Sequence, residues 1–384
     1  MNKKVLSLVL CLMLAIIAFL ANIFTPKAVE CFSLESIDLT AKGAVVMESS
    51  SKRVLLEKNM DEKLPMASTT KIMTALIALE NTEDLDEVFA TDNRAVGIEG
   101  TSIYLKNDEH LSMRHLLLGL MLSSGNDAAL AIAYKVGGSV ENFVELMNKK
   151  VSDLGLHNTH FDNPHGLDSV THYTSAYDLA YITCEAMKNE NFREIVKQKF
   201  AQIPGNQECP TRFLRNKHKL LQSDMNGCEG VKTGFTDNAR RCCVTSCFRN
   251  GMRLVAVVLN CQNMFEESHS MLETCYEQYA FQNLLEPNKY ITSIMVENGA
   301  NQTVKTNTKE AFQYPLKVTE LDKINSKCVL KDKLIAPVKA DEEVGEYKIY
   351  FDNNLIFSTK IYTMEDVETK DFGQKLKDIV DNWC

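Results

Sequence analysis

The sequence predicts an α+β protein made of two folded domains. Residues 34–288 place strand-like runs at both ends and helical runs between them, which indicates a sheet flanked by helices. Residues 289–363 consist of short strand-like runs separated by turn residues, and residues 364–384 have the periodicity of an amphipathic helix. A chain of 384 residues is long enough for about two or three domains.

The elements of the first domain follow from local patterns. β-rich runs on either side of Ser-Ser-Ser-Lys predict a strand hairpin, and a proline followed by apolar residues at helical spacing predicts the first helix. An Asn-Gly pair between two later β-rich runs predicts a second hairpin. In chain order we predict strands 43–47 and 54–58, helices 65–79, 116–122 and 128–134, a helix beginning at Ser139, and strands 242–248 and 254–259.

The second domain and the C-terminal segment differ in pattern. After Pro287 turn residues recur every few positions, so residues 289–363 predict a small β-sandwich-like domain. In residues 364–384 the apolar positions share one helix face, which includes the single tryptophan. Such a helix either binds a membrane surface or packs on its own β domain, and the tryptophan favours the membrane. These apolar positions are Phe372, Leu376, Ile379, Val380 and Trp383.

Residues 1–28 have the composition of an export signal. Lys3 and Lys4 precede an apolar run over residues 5–24, and Pro26 follows it. A run of this length also suits an uncleaved N-terminal membrane anchor. Both alternatives place the rest of the chain outside the cytoplasm.

The composition excludes several classes of protein. With 45% hydrophobic and 24% charged residues, the chain is neither collagen-like nor disordered. The net charge is −9, because 51 Asp and Glu outnumber 42 Lys and Arg, so nucleic acid is not expected as a partner. The twelve cysteines are irregularly spaced and form no Cys-x-x-Cys pair. We therefore expect mainly buried thiols, with disulfides or a metal site as the alternatives.

Ser68 and Lys71 are the first candidate catalytic pair. Residues three apart share one face of a helix, so the hydroxyl and the amine come within hydrogen-bond reach. A lysine whose pKa is lowered by burial or by a second cation can take the serine proton and make the oxygen nucleophilic. A solvated helix face is the alternative, because Ser-x-x-Lys alone is a common pattern.

Two further segments make the pattern specific. Ser124 and Asn126 lie in Ser-Gly-Asn between two predicted helices, where a loop displays both side chains. Residues 230–234, Gly-Val-Lys-Thr-Gly, precede the predicted second hairpin, and their glycines allow a substrate backbone to approach. Ser-x-x-Lys, Ser-x-Asn and Lys-Thr-Gly, in this order, are the motifs of penicillin-binding proteins and class A β-lactamases.

The chain resembles the low-molecular-mass penicillin-binding proteins, serine-type D-alanyl-D-alanine carboxypeptidases of peptidase family S11, over residues 35–384. The likeness rests on the three motifs and on segments 65–74, 125–129, 163–167 and 174–180. It implies a penicillin-binding-protein/β-lactamase-like transpeptidase domain with a mixed sheet, then a β-rich domain and a terminal anchor. It also implies peptidoglycan stem peptides ending in D-Ala-D-Ala and β-lactam antibiotics as ligands, no cofactor or metal, and a location at the outer face of the cytoplasmic membrane or in the cell wall.

The resemblance implies catalytic roles for three residues. Ser68 would attack the carbonyl between two D-alanines with Lys71 as general base, which forms an acyl-enzyme. Ser124 would carry a proton towards the leaving amine, and water would then release the shortened peptide.

The resemblance also implies a substrate-binding set. The Asn126 amide would hold the peptide backbone, and Lys232 and Thr233 would bind the terminal carboxylate. The backbone N–H groups of Ser68 and Phe235 would meet the oxyanion. An additional basic residue is expected from an Asn-x-His stretch. The residues of this set are Asn126, Lys232, Thr233, Gly234, Phe235 and Lys217.

Several alternatives follow from departures in the sequence. Arg240 stands where the family usually has a small residue near the cleft, so we expect altered access or rate, and a non-catalytic wall-binding protein is one alternative. A β-lactamase-like hydrolase is another, but residues 146–184 lack the glutamate that a class A β-lactamase needs for deacylation. Four histidines within residues 157–172 suit a zinc site, although the resemblance accounts for His165 and His172 without metal.

Overall fold

The computed structural model describes residues 38–205 and 209–374, with helices concentrated in the first domain and strands in the second. The strands are β1 (Gly43–Glu48), β2 (Val54–Lys58), β3 (Val88–Ala90), β4 (His110–Ser112), β5 (Phe200–Ile203), β6 (Arg212–Arg215), β7 (Cys228–Thr236), β8 (Arg240–Arg249), β9 (Met252–Leu259), β10 (Ala280–Leu285), β11 (Tyr290–Glu297), β12 (Thr303–Asn307), β13 (Phe312–Leu316), β14 (Ile324–Leu330), β15 (Leu334–Ile335), β16 (Glu343–Phe351) and β17 (Asn354–Thr363). The α-helices are α1 (Lys71–Glu80), α2 (Met113–Leu122), α3 (Asn126–Gly137), α4 (Val140–Asp153), α5 (Ala176–Ala186), α6 (Glu190–Val196), α7 (Lys219–Gln222) and α8 (Met264–Gln278).

A five-stranded sheet in the order β2-β1-β9-β8-β7 lies at the centre of the first domain. Each neighbouring pair of its strands is antiparallel, so the mixed sheet that the resemblance implied is wrong in this detail. β1 and β9 are buried over almost their whole length, and α5 and α8 pack against the sheet. Both predicted hairpins are present as β1–β2 and β8–β9.

β7 forms one edge of this sheet and contains the Lys-Thr-Gly motif. Residues 230–234 precede the β8–β9 hairpin, as predicted, and they lie within the strand β7, where Lys232 pairs with Val244 and Gly234 with Cys242. Glycine and lysine are weak strand formers, so the local pattern did not indicate a strand. The edge position leaves the outer side of β7 available to the site.

α1 is a buried helix within the helical layer. Its residues from Lys71 to Leu79 are all buried, including the lysine. The helix begins later than predicted, because Pro65 precedes a 3₁₀ segment over Ala67–Thr70 and α-helical structure starts only at Lys71. Burial of each large apolar side chain contributes about 2 kcal/mol, which anchors the lysine in the core.

The second domain is built from strands, as predicted. A six-stranded sheet in the order β14-β16-β17-β12-β11-β15 encloses a small core that includes Ile294, Val304 and Ile361. β10 pairs with β13, so the strand pairing of this part begins at Ala280, ahead of the change in composition at Pro287.

Residues 364–371 are not helical, so the predicted helix over residues 364–384 is wrong for its first part. Val367 forms an isolated bridge to Val338 and is buried in the core of the β domain. Helical structure begins at Phe372, while residues 375–384 and the predicted export segment 1–28 lie outside the described residues. Within the described ranges, no helix combines the length and the apolar character needed to cross a bilayer.

Several cysteines of the first domain are buried thiols. Cys184, Cys242, Cys243 and Cys275 are almost completely shielded from solvent. Burial raises the pKa of Cys184 to about 11 and that of Cys243 to about 12, so both stay neutral and pack as small apolar side chains.

Candidate active site

Ser68 lies in a strained turn immediately before α1. It belongs to the 3₁₀ segment Ala67–Thr70, and Ala67 has a φ of 48°, a left-handed conformation that costs a residue with a Cβ about 1 kcal/mol. Thr70 Oγ1 donates a hydrogen bond to the Ala67 carbonyl at 2.8 Å. Gly166 packs against the same carbonyl so closely that any Cβ there would collide with it. These contacts hold the strained turn and leave the Ser68 side chain half-buried at the cavity.

Lys71 lies within hydrogen-bond distance of three oxygen atoms. Its Nζ is 3.0 Å from Ser68 Oγ, 2.8 Å from Asn126 Oδ1 and 2.5 Å from the His165 carbonyl oxygen. The last two atoms can only accept hydrogen bonds. The side chain of Lys71 therefore connects Ser68 to two other segments of the chain.

The electrostatic environment of Lys71 favours the uncharged amine. Its pKa is well below its usual value because the residue is completely buried and because Lys232 and Lys217 are close, while Asp127 acts in the opposite direction. Burial and the charge of Lys217 also lower the pKa of Lys232 to about 7. The Nζ of Lys232 donates to the Thr233 carbonyl at 2.8 Å.

Ser124 and Asn126 lie at the junction of α2 and α3. Ser124 has a φ of 65° and lines the cavity, whereas Asn126 is buried. The Asn126 side chain donates through Nδ2 to the Glu99 carbonyl at 2.7 Å and accepts from Lys71 through Oδ1. Both ends of its amide are thus hydrogen-bonded within the protein, and one of them contacts Lys71.

Gly234 allows β7 to approach Ser68 closely. A Cβ at this position would lie 2.9 Å from the backbone nitrogen of Ser68 and 3.0 Å from Ala67 Cβ, so a side chain would push the strand away. The next residue, Phe235, is exposed at the rim of the cavity.

Most of the predicted site residues meet in one cavity of about 400 Å³. The predicted residues in its wall are Ser68, Ser124, Lys217, Thr233, Gly234 and Phe235. The other three, Lys71, Asn126 and Lys232, are buried. The structure thus gathers residues from distant parts of the chain around a single hydroxyl.

The histidines support the backbone around the site. His172 Nδ1 accepts a hydrogen bond from the Asp162 N–H at 3.0 Å, and His172 Nε2 is 2.8 Å from Thr70 Oγ1. Burial lowers the pKa of His172 to about 4 and that of His165 to about 3, so both rings are neutral near pH 7. In residues 38–205 and 209–374, no cluster of three or more His, Cys, Asp or Glu side chains could hold a metal ion.

Comparisons with known proteins agree with this geometry. Residues 30–263 match the peptidase S11 family, described as D-alanyl-D-alanine carboxypeptidase, and residues 279–369 match the C-terminal domain of penicillin-binding protein 5. The D-alanyl-D-alanine carboxypeptidase DacF of Bacillus subtilis is 31% identical over 351 residues, which cover 89% of this chain and 90% of the relative. DacC of Escherichia coli is 30% identical, with 93% of this chain and 92% of the relative covered. The crystal structure of penicillin-binding protein 5 from Haemophilus influenzae has a TM-score of 0.71 at 27% identity and covers 86% of this chain and 98% of its own.

The chain belongs to the D-alanyl-D-alanine carboxypeptidase family. It is a serine-type D-Ala-D-Ala carboxypeptidase and a penicillin-binding protein, as the sequence predicted. The predicted α+β transpeptidase-like domain followed by a β-rich domain is confirmed as well. D-Ala-D-Ala peptides and penicillins are the ligands that membership of this family implies.

The cavity of this carboxypeptidase also contains residues that the sequence analysis missed, namely Thr101, Arg241 and Met264. Arg240, which we expected near the cleft, is exposed with a φ of 56°, and it is Arg241 that lines the cavity. Arg241 pairs with Phe235 across β7 and β8. Directly opposed residues share a face of the sheet, so the strand register is the signal that would have found Arg241.

Proposed function

We propose that Ser68 is the nucleophile of this carboxypeptidase and that Lys71 takes its proton. A neutral amine has two N–H groups and one lone pair. The acceptors Asn126 Oδ1 and the His165 carbonyl oxygen engage the two N–H groups. The lone pair is then left for the Ser68 hydroxyl, 3.0 Å away, and this arrangement is the observation that carries the proposal.

The reaction proceeds through an acyl-enzyme. Ser68 Oγ bonds to the carbonyl carbon between the two D-alanines, and the negative oxygen is met by the backbone N–H groups of Ser68 and Phe235, worth about 3 kcal/mol for each donor. The C–N bond then breaks, and Ser124 passes the proton from Lys71 to the leaving amine. Water, deprotonated by Lys71, releases the shortened peptide and restores the hydroxyl.

Recognition of the terminal carboxylate involves a residue beyond the motif. The pKa of Lys232 is about 7, so Lys232 is uncharged in a substantial fraction of the molecules at neutral pH. Its Nζ also donates to the Thr233 carbonyl. A guanidinium keeps its charge at any pH of interest and binds carboxylates with two parallel hydrogen bonds. We therefore assign the carboxylate to Thr233 and Arg241, with Lys232 adding positive potential.

We also infer that the protein acts at the outer face of the cytoplasmic membrane or in the cell wall. The basic start and apolar run of residues 1–28 support export, and the apolar positions between Phe372 and Trp383 support contact with a membrane surface. Fractionation of cells that produce the full chain and a chain truncated after residue 371 tests both points. Export predicts protease-accessible protein in both cases. If residues 1–28 are cleaved, membrane contact through the C-terminal segment predicts that only the full chain sediments with membranes, whereas sedimentation of both chains would indicate an uncleaved N-terminal anchor.

Mass spectrometry after incubation with benzylpenicillin tests the nucleophile. We expect one covalent adduct, mapped to Ser68 and absent from Ser68→Ala. A wild-type protein without an adduct would overturn the assignment. Ser124→Ala should slow acylation by at least tenfold, whereas Ser123→Ala at the neighbouring half-buried position should not.

Release of D-alanine from pentapeptide muropeptides separates turnover from binding. We expect the wild-type protein to release D-alanine and Ser68→Ala to release none. Cells with Ser68→Ala should accumulate pentapeptides relative to tetrapeptides. A penicillin adduct without release of D-alanine would instead identify a non-catalytic wall-binding protein.

A further inference from the structure

Cys228 and Cys247 occupy directly opposite positions of β7 and β8. Opposed residues of an antiparallel pair have Cα atoms about 4.5–5.5 Å apart and side chains on the same face of the sheet. A disulfide requires a Cα separation of about 4.4–6.8 Å, so the register alone brings the pair within bonding range.

The strand is irregular beside this pair. The register shifts between Cys228 and Gly230, so no residue of β8 lies directly opposite Glu229 in the strand pairing. Gly227, immediately before the pair, has a φ of 71°. A bulge next to a flexible glycine allows the Cβ atoms to move the small distance that a bond requires without disturbing the rest of the ladder.

The two thiols differ in accessibility and in acidity. Cys228 is half-buried, whereas Cys247 is completely buried. The interaction of the two thiols with each other lowers the pKa of Cys228 and raises that of Cys247. An oxidant from solvent therefore meets Cys228 first, in the more reactive state, with a second thiol directly behind it.

We propose that Cys228 and Cys247 form a disulfide when the protein meets a disulfide oxidant, either a small molecule or a thiol oxidase. The Cys228 thiolate attacks one sulfur of the oxidant, which forms a mixed disulfide and releases the other sulfur as a thiolate. Cys247 then gives up its proton and attacks Cys228 Sγ, which releases the second sulfur of the oxidant. Two electrons and two protons pass from the cysteine pair to the oxidant, which leaves as two thiols.

The disulfide would join the start of β7 to β8. β7 is the strand that contains Lys232 and Thr233. β7 is an edge strand, so it has hydrogen-bonded strand support on one side only. The cross-link therefore protects the alignment of the Lys-Thr-Gly segment against heat. This modification is independent of the peptidase chemistry, and it concerns a cysteine pair on which that chemistry does not depend.

Oxidation of the purified full chain with oxidised glutathione tests the proposal. After the remaining thiols are alkylated, we expect a peptide that links Cys228 to Cys247, with the loss of two hydrogen atoms. The oxidised protein should melt roughly 5 °C above the reduced protein, and a reducing agent should reverse the shift. Both forms should be acylated by benzylpenicillin, which separates a failure of this proposal from a failure of the catalytic assignment.

Two variants complete the experiment. Cys228→Ser should abolish the linked peptide and the thermal shift, while Cys328→Ser, at a half-buried cysteine of the β domain, should change neither. The proposal is overturned if the wild-type peptide map shows Cys228 unreacted, bonded only to glutathione, or linked to a cysteine other than Cys247. The map of the wild-type protein decides the question even if Cys228→Ser does not fold.

Discussion

His172 links the stability of the protein in acid to the position of Ser68. Because its Nδ1 accepts from the Asp162 N–H, the proton of the neutral ring is on Nε2, which donates to Thr70 Oγ1. The Thr70 hydroxyl in turn donates to the Ala67 carbonyl, next to Ser68. A proton added at Nδ1 would point towards the Asp162 N–H, so protonation of His172 breaks its hydrogen bond with Asp162.

The size of the expected stability loss follows from the protonation of His172 in the folded chain and in the unfolded chain. Burial is the main cause that lowers the pKa of His172 from 6.5 to about 4; Asp162 opposes the shift, and His160 and Lys71 add to it. The unfolded chain takes up its proton near the higher value and the folded chain only near the lower one. The folded state therefore loses stability as the pH falls through this window. The difference corresponds to roughly 3 kcal/mol of unfolding free energy.

Urea unfolding of wild type and His172→Gln at about pH 7 and about pH 4 measures this contribution. Glutamine keeps an N–H donor for Thr70 but does not titrate, so wild type should lose roughly 3 kcal/mol more than the variant between the two pH values. His157→Gln, at an exposed histidine, should retain the wild-type loss. Equal losses in wild type and His172→Gln would refute the reasoning, because the buried histidines His165 and His218 contribute to both proteins alike.

Three further substitutions test the site and its support. Arg241→Gln should raise KM about 10-fold or more for peptides with a free C-terminal carboxylate but not for amidated analogues, whereas Arg240→Gln should alter neither; equal effects on both substrates would contradict the carboxylate role. Gly234→Ala should slow penicillin acylation at least tenfold, since the new Cβ would lie 2.9 Å from the Ser68 nitrogen, and an unchanged rate would show that β7 has room to move. Arg53→Met should lower the free energy of unfolding by roughly 3 kcal/mol in urea, because Arg53 pairs with Glu320 at 2.7 Å between the domains; a loss below about 1 kcal/mol would show that the pair contributes little.

Residues whose proximity depends only on their spacing in the sequence could be predicted from the sequence. Ser68 and Lys71 are separated by one helical turn, so their proximity needed no knowledge of the fold, and the structure places their side-chain atoms 3.0 Å apart. The hairpins β1–β2 and β8–β9 were likewise predictable, because their apolar runs flank recognisable turns.

Features that depend on strand pairing or on tertiary contact could not be predicted from the sequence. β7 contains too many poor strand formers to be recognised locally, and it is a strand because β8 lies beside it. Arg241 enters the cavity through the register of the same pair. Residues 364–371 precede the apolar positions on which the predicted helix rests, and Val367 instead pairs with Val338 because the β domain offers a bridge partner and an apolar core.

The surroundings of Lys71 show why the proposed chemistry of its motif depends on this fold. On a solvated helix a lysine has a pKa of about 10.4 and stays charged at neutral pH, so it has no lone pair with which to accept the serine proton. Here the burial of α1 removes water, Lys232 approaches from β7, and Asn126 and His165 supply acceptors from two other segments. Each of these contributions comes from a different part of the chain. The general base that we propose is therefore created by tertiary contacts, and any perturbation that admits water beside Lys71 should raise its pKa and slow acylation before the protein unfolds.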